Sequence, residues 1–106
     1  KARHAVLGRT VAIKVPLGAA AGSDERSRFL REARSAARLR HSHICPIHEI
    51  GEVAGRPYLV MAYIAGETLE AKLNARPIEP IHAAKLTVDL ALAIQYAHEQ
   101  GVVHRD

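Results

Sequence analysis

Val11-Ala12-Ile13-Lys14-Val15 is a β-branched run interrupted by one small and one charged residue. Side chains alternate across a pleat, so a strand here puts Val11, Ile13 and Val15 on one face and Ala12 and Lys14 on the other. Lys14 decides how the stretch is read. It is either one solvated lysine on a half-buried strand, or a cation held on a strand to meet an anion, with Ala12 leaving room on the same face for something flat. The rest of the chain carries that decision.

The 106 residues suffice for one small domain. With 48% hydrophobic residues but only 4% aromatic ones, the expected core is aliphatic. No apolar run approaches the ~20 residues of a membrane span. The single cysteine, Cys45, rules out an internal disulfide and fits a reducing compartment. The net charge of +4 is dominated by arginines between Arg26 and Arg40, read either as a solvated helix face or as an anion-binding one. No zinc spacing, aromatic platform or basic tail accompanies them, so no nucleic-acid partner is expected. The opening Lys1 and the closing His104-Arg105-Asp106 predict a chain cut from something longer.

Around the opening strand, taken as Thr10 to Leu17, the periodicity places six further elements. Residues 1–7 form the end of a preceding strand, with Gly8-Arg9 as the turn. Residues 18–22 form a loop. Ser23 caps a helix running to about Arg40, because its hydroxyl can accept a bond from an otherwise unpaired N–H. Phe29, Leu30, Ala33, Ala36 and Ala37 make that helix's apolar stripe, extended by Leu39. Arg31, Arg34 and Arg38 point away. Glu32 falls on the edge of the stripe, either as a rim glutamate that reaches solvent or as the partner of a cation on whatever the helix packs against.

Ile47 to Val53 and Pro57 to Ile64 read as a hairpin about Ala54-Gly55-Arg56. A short helix follows over Glu67 to Ala75, then a long one from Ile81 to about Gln100, ended by Gly101 in the C′ role. Leu86, Leu90, Ala93, Ile94 and Ala97 cluster on one face of the long helix. Val88 and Leu92 add apolar surface elsewhere, so burial on more than one side is expected. Composition changes at Ala65-Gly66, which places a lobe boundary there: 1–65 and 66–106.

Three pieces line up in chain order: Val11-Ala12-Ile13-Lys14 on a strand, Glu32 on the following helix, and His104-Arg105-Asp106 after the long helix. Together they resemble the eukaryotic-type protein kinase domain, most closely its bacterial serine/threonine branch. In that family a V-A-I-K strand, a glutamate on helix C and an H-R-D loop recur in this order. Residues 58–69, Tyr58 to Leu69, resemble the fifth strand and hinge, and His41-Ser42-His43-Ile44 resembles the loop after helix C. The resemblance covers essentially the whole chain. It implies an α+β fold: a small-lobe antiparallel sheet with helix C, then the first helices of the large lobe.

The resemblance also implies roles. Lys14 contacts the α- and β-phosphates of ATP, and Glu32 holds Lys14 in place. Ala12 forms part of the adenine roof. Met61 is the gatekeeper at the back of the adenine pocket. The Ala62 carbonyl and the Ile64 N–H meet the adenine edge, and Glu67 or Thr68 reaches the ribose. Family members often carry glutamate at the position of Ala62, a departure that leaves these backbone bonds intact. Asp106 orients the substrate hydroxyl and accepts its proton. His104 joins an internal hydrophobic spine with Ala36 and Ile47, and Arg105 is the residue that often receives an activation-loop phosphate.

The implied partners are ATP, Mg²⁺ and a protein bearing a serine or threonine hydroxyl. The implied location is cytoplasmic, with any membrane anchor of the parent in segments outside this chain. The glycine-rich phosphate loop and the metal-binding asparagine and aspartate fall outside the sequence. The chain alone is therefore expected to lack transfer activity and to be marginal in stability. The rival readings are a kinase-fold binding module without catalysis and a basic nucleic-acid-binding domain.

Overall fold

The structure, a computed structural model, describes residues 1–4, 8–16 and 23–103. The expected loop at 18–22, part of the first strand's surroundings at 5–7, and His104, Arg105 and Asp106 lie outside the described residues. Four strands, β1 (Ala2–Arg3), β2 (Thr10–Lys14), β3 (Ile47–Val53) and β4 (Arg56–Ala62), form one antiparallel sheet in the order β1-β2-β4-β3. Helix α1 (Asp24–Ala36) packs on β3 and β4. Helices α2 (Leu69–Ala75) and α3 (Pro80–Glu99) follow.

The ends of these elements have local causes. Strand β2 stops at Lys14, short of the expected Leu17. Pro16 has no N–H to offer a ladder, so pairing with β4 ends before it. Strand β4 likewise stops at Ala62, whose N–H donates to the Pro46 carbonyl at 3.0 Å, leaving Tyr63 and Ile64 beyond the sheet. Between β3 and β4, Ala54 (φ 49°) and Gly55 (φ 74°) both take positive φ, the signature of the type I′ turn whose twist matches that of paired strands.

Ser23 caps α1 as expected, its hydroxyl accepting from Arg26 N–H at 3.2 Å. The helix ends four residues earlier than the apolar stripe predicts. Arg38 N–H bonds the Ser35 carbonyl at 3.3 Å and Leu39 N–H bonds that of Ala36 at 3.1 Å. This i→i+3 tightening turns the chain inward and buries Leu39. Ala33 is buried as well, while Phe29, Leu30, Ala36 and Ala37 are half-buried and Arg31, Arg34 and Arg38 are exposed. The amphipathic reading of this helix holds.

The core is the interior of the sheet: Val11, Pro57, Leu59 and Val60, closed by Ala33 and Leu39. Ile13 and Val15, on the same face of β2 as Val11, are exposed. Thr68 caps α2 by accepting from Ala71 N–H at 3.1 Å, and Pro80 opens α3, where a missing N–H costs nothing. Gly101, at φ 74°, ends it.

Among the described residues, α2 and α3 pack against neither the sheet nor each other. Ala93 is the one buried residue of α3, and Leu90, Ile94, Val88 and Leu92 are all exposed. The radius of gyration, 16.1 Å, exceeds the about 13 Å of a compact chain of this length because α3 projects from the sheet. No helix of the described residues is long and apolar enough to cross a membrane.

Candidate active site

The β2–β4 ladder sets the first part of the site. Its register places Val11 opposite Ala62, Ala12 opposite Met61, Ile13 opposite Val60 and Lys14 opposite Leu59. Cross-strand partners share a face, so Ala12, Met61, Lys14 and Leu59 lie on one side of the sheet. Ala12 and Met61 are half-buried, and Lys14 is exposed at the last paired position of the strand. Two residues along a strand span about 6.7 Å. The side therefore offers a small side chain and a thioether at one end and an ammonium one step further on.

Beyond β4, Tyr63 to Thr68 run without helix or strand. Ile64 stands 69% exposed. The Ala62 carbonyl accepts a weak hydrogen bond from the Cys45 thiol at 3.5 Å. The Lys1 ammonium sits 4.9 Å from the centroid of the Tyr63 ring, a cation–π contact that ties the start of the chain to this segment. Ala12 and Met61 thus face each other across the ladder, and Ala62 ends the strand that leads to Ile64.

Glu32 and Lys14 occupy different layers. Glu32 is an exposed residue near the middle of α1, which packs on β3 and β4, whereas Lys14 is on β2. Among the described residues, the ion pairs within 4.0 Å are Arg26–Glu52 and His4–Glu49, and the implied Lys14–Glu32 contact is not one of them. It is Arg26 that joins α1 to the sheet. Its Nε donates to Glu52 Oε2 at 3.1 Å, and its Nη2 donates to the same oxygen. The sequence reading missed this pair; an arginine in the first turn of α1 and a glutamate near the end of β3 carry no spacing that links them.

Also unforeseen is the packing of Tyr96, from α3, on the α1–β3 connection. Its hydroxyl accepts from Arg40 N–H at 3.1 Å, and its ring lies 5.4 Å from that of His41. A cavity of about 460 Å³ opens beside this contact, lined by Leu39, Arg40, His41, Ser42, Ile44 and Pro46 and by none of Ala12, Lys14 or Met61. No group of three His, Cys, Asp or Glu among the described residues could hold a metal ion.

Comparison with known proteins bears on this arrangement. A family model described as "Protein kinase domain" matches residues 1–106. The serine/threonine-protein kinase PknH of Mycobacterium tuberculosis is 39% identical over 109 residues, covering 100% of this chain and 17% of PknH. Serine/threonine-protein kinase PknJ of the same organism is 38% identical over 106 residues, covering 99% of this chain and 18% of its own length. Among solved structures, the M. tuberculosis PknI kinase domain superposes with a TM-score of 0.78 at 35% identity, over 91% of this chain and 40% of that one. The chain thus spans less than a fifth of these curated relatives.

Proposed function

This chain belongs to the protein kinase domain family, and we propose that it supplies the small lobe and the opening of the large lobe of a serine/threonine kinase that transfers the γ-phosphate of ATP to protein hydroxyls. The division falls at residues 1–65 and 66–106. The observation that carries the reading is the β2–β4 register, which puts Ala12 beside Met61 and Lys14 on the same side of the sheet. A flat base against Ala12 and Met61 would have its edge toward the backbone of Ala62 and Ile64, and its phosphates toward Lys14.

The residues present fit such a nucleotide. The half-buried Ala12 and Met61 give an apolar wall, and an exposed ammonium stands where anionic charge would lie. ATP supplies the phosphoryl group; this chain's residues bind and orient it. Lys14 positions the α- and β-phosphates, and Glu32 holds Lys14 in place. Asp106 orients the acceptor hydroxyl and takes its proton. The Mg²⁺ ions that accompany ATP would offset the charge of its phosphates.

The test is phosphoryl transfer to a protein substrate by the full-length protein. Lys14→Met and Asp106→Asn are each expected to lower transfer by orders of magnitude, Lys14→Met also by weakening ATP binding. Near-normal rates in either would break the assignment. Tight ATP binding by the unmodified protein without transfer would instead make it a kinase-fold binding module.

A further inference from the structure

The segment that leaves β4 is firmly held where it starts and thinly held after that. Ala62 N–H donates to the Pro46 carbonyl at 3.0 Å, and the Ala62 carbonyl accepts from the Cys45 thiol at 3.5 Å. Beyond Ala62 the ladder is gone, and residues 63–67 form neither helix nor strand. The next anchor is Thr68, whose hydroxyl caps α2. Among the described residues, one hydrogen bond, ion pair or ring contact is made by residues 63–67. It is the contact of the Tyr63 ring with the Lys1 ammonium, 4.9 Å from the ring centroid.

The sheet order makes this contact a brace. Ala2 pairs with Val11 and Val11 with Ala62, one row across β1, β2 and β4. Lys1 precedes Ala2 and Tyr63 follows Ala62. The contact therefore reaches across β2, from the edge strand to the residue at which β4 leaves the sheet. Tyr63 is also the pivot between the two backbone groups assigned to the base. The Ala62 carbonyl belongs to the peptide plane before its Cα, and the Ile64 N–H to the plane after it. Peptide planes are rigid, so φ and ψ of Tyr63 set the orientation of one group to the other. A side chain held over β2 restrains both angles.

We infer that Lys1 and Tyr63 are positioning residues for the nucleotide: their cation–π contact holds the Ala62 carbonyl and the Ile64 N–H in the relative orientation that a base requires. The inference rests on the proposed kinase function. Order established before ATP arrives need not be imposed when it binds, so the contact strengthens ATP binding without touching the phosphates. Ground state and transition state gain alike, and the effect falls on KM rather than on kcat.

The experiment measures steady-state transfer at varied ATP, and equilibrium ATP binding, in the full-length protein. Lys1→Met and Tyr63→Leu are each expected to raise KM and Kd for ATP about two- to fivefold, the loss of an exposed cation–π contact, with kcat unchanged. The double variant should be no weaker than either single one, because both remove the same contact. Lys1→Arg and Tyr63→Phe keep a cation over a ring and should keep the original KM. An unchanged KM in Lys1→Met or Tyr63→Leu, additive rises in the double variant, or a rise in Lys1→Arg equal to that in Lys1→Met overturns the inference and leaves the kinase reading standing. Neither transfer nor ATP binding by the unmodified protein overturns both.

Discussion

Ala12 stands directly opposite Met61 across the β2–β4 ladder, both half-buried on the side of the sheet that carries Lys14. A methyl group at position 12 is what leaves room beside the thioether. Ala12→Leu adds three carbons on that wall, where a planar base is proposed to lie. KM for ATP is expected to rise at least tenfold, with a smaller change in kcat, because binding of the base is lost in ground and transition states alike. Steady-state kinetics of the full-length protein at varied ATP check this; an unchanged KM would remove Ala12 from the site.

Gly51 faces Tyr58 across β3 and β4. A Cβ built on Gly51 would lie 2.8 Å from Tyr58 Cε1 and closer still to Cζ and the hydroxyl oxygen. The phenol lies over the glycine on its way to Glu49, where it donates at 2.7 Å, and this bond raises its pKa above the ordinary value. Gly51→Ala is expected to destabilise the protein by about 1–3 kcal/mol through overpacking. Adding Tyr58→Ala should recover part of that loss in a double-mutant cycle read by denaturant unfolding, whereas additive effects would refute the contact.

Tyr96 accepts from Arg40 N–H at 3.1 Å, the hydrogen bond that joins α3 to the sheet-bearing part of the chain among the described residues. Tyr96→Phe should cost about 0.5–1.5 kcal/mol, toward the lower end because water can reach the exposed amide. Hydrogen exchange at Arg40 should quicken selectively, and an unaltered rate there would exclude the bond.

His48 gives stability a pH dependence of known sign. Its pKa in the folded protein lies below the ordinary 6.5, through burial first and then Arg9, Arg40 and His4. The unfolded chain therefore takes up the proton first. Stability from this group is full above about pH 6.5 and declines as pH falls through that value toward the folded pKa. His48→Gln should flatten the fall in melting temperature between about pH 7.5 and 5; an identical profile would show that His48 does not contribute.

How much of this was legible in sequence depended on distance along the chain. The Ser23 and Thr68 caps and the α1 stripe could be read because their partners lie within one or two turns. The early end of α1 could not, since burying Leu39 outweighed continuing the helix. Glu32 was read at the edge of the apolar stripe, either reaching solvent or paired with a cation, and sequence spacing could not show that its helix rests on β3 and β4 rather than on β2.

By itself, the order of Lys14, Glu32 and Asp106 carried the resemblance to the protein kinase domain, while side-chain period and local capping, written in consecutive residues, set the strands and helices of an α+β class. Only the tertiary structure decided which of these residues meet. It joined Ala12 to Met61, Gly51 to Tyr58 and Arg26 to Glu52. Strand register and the seating of a helix on a sheet arise from burial summed over the whole core, and no local spacing encodes that sum.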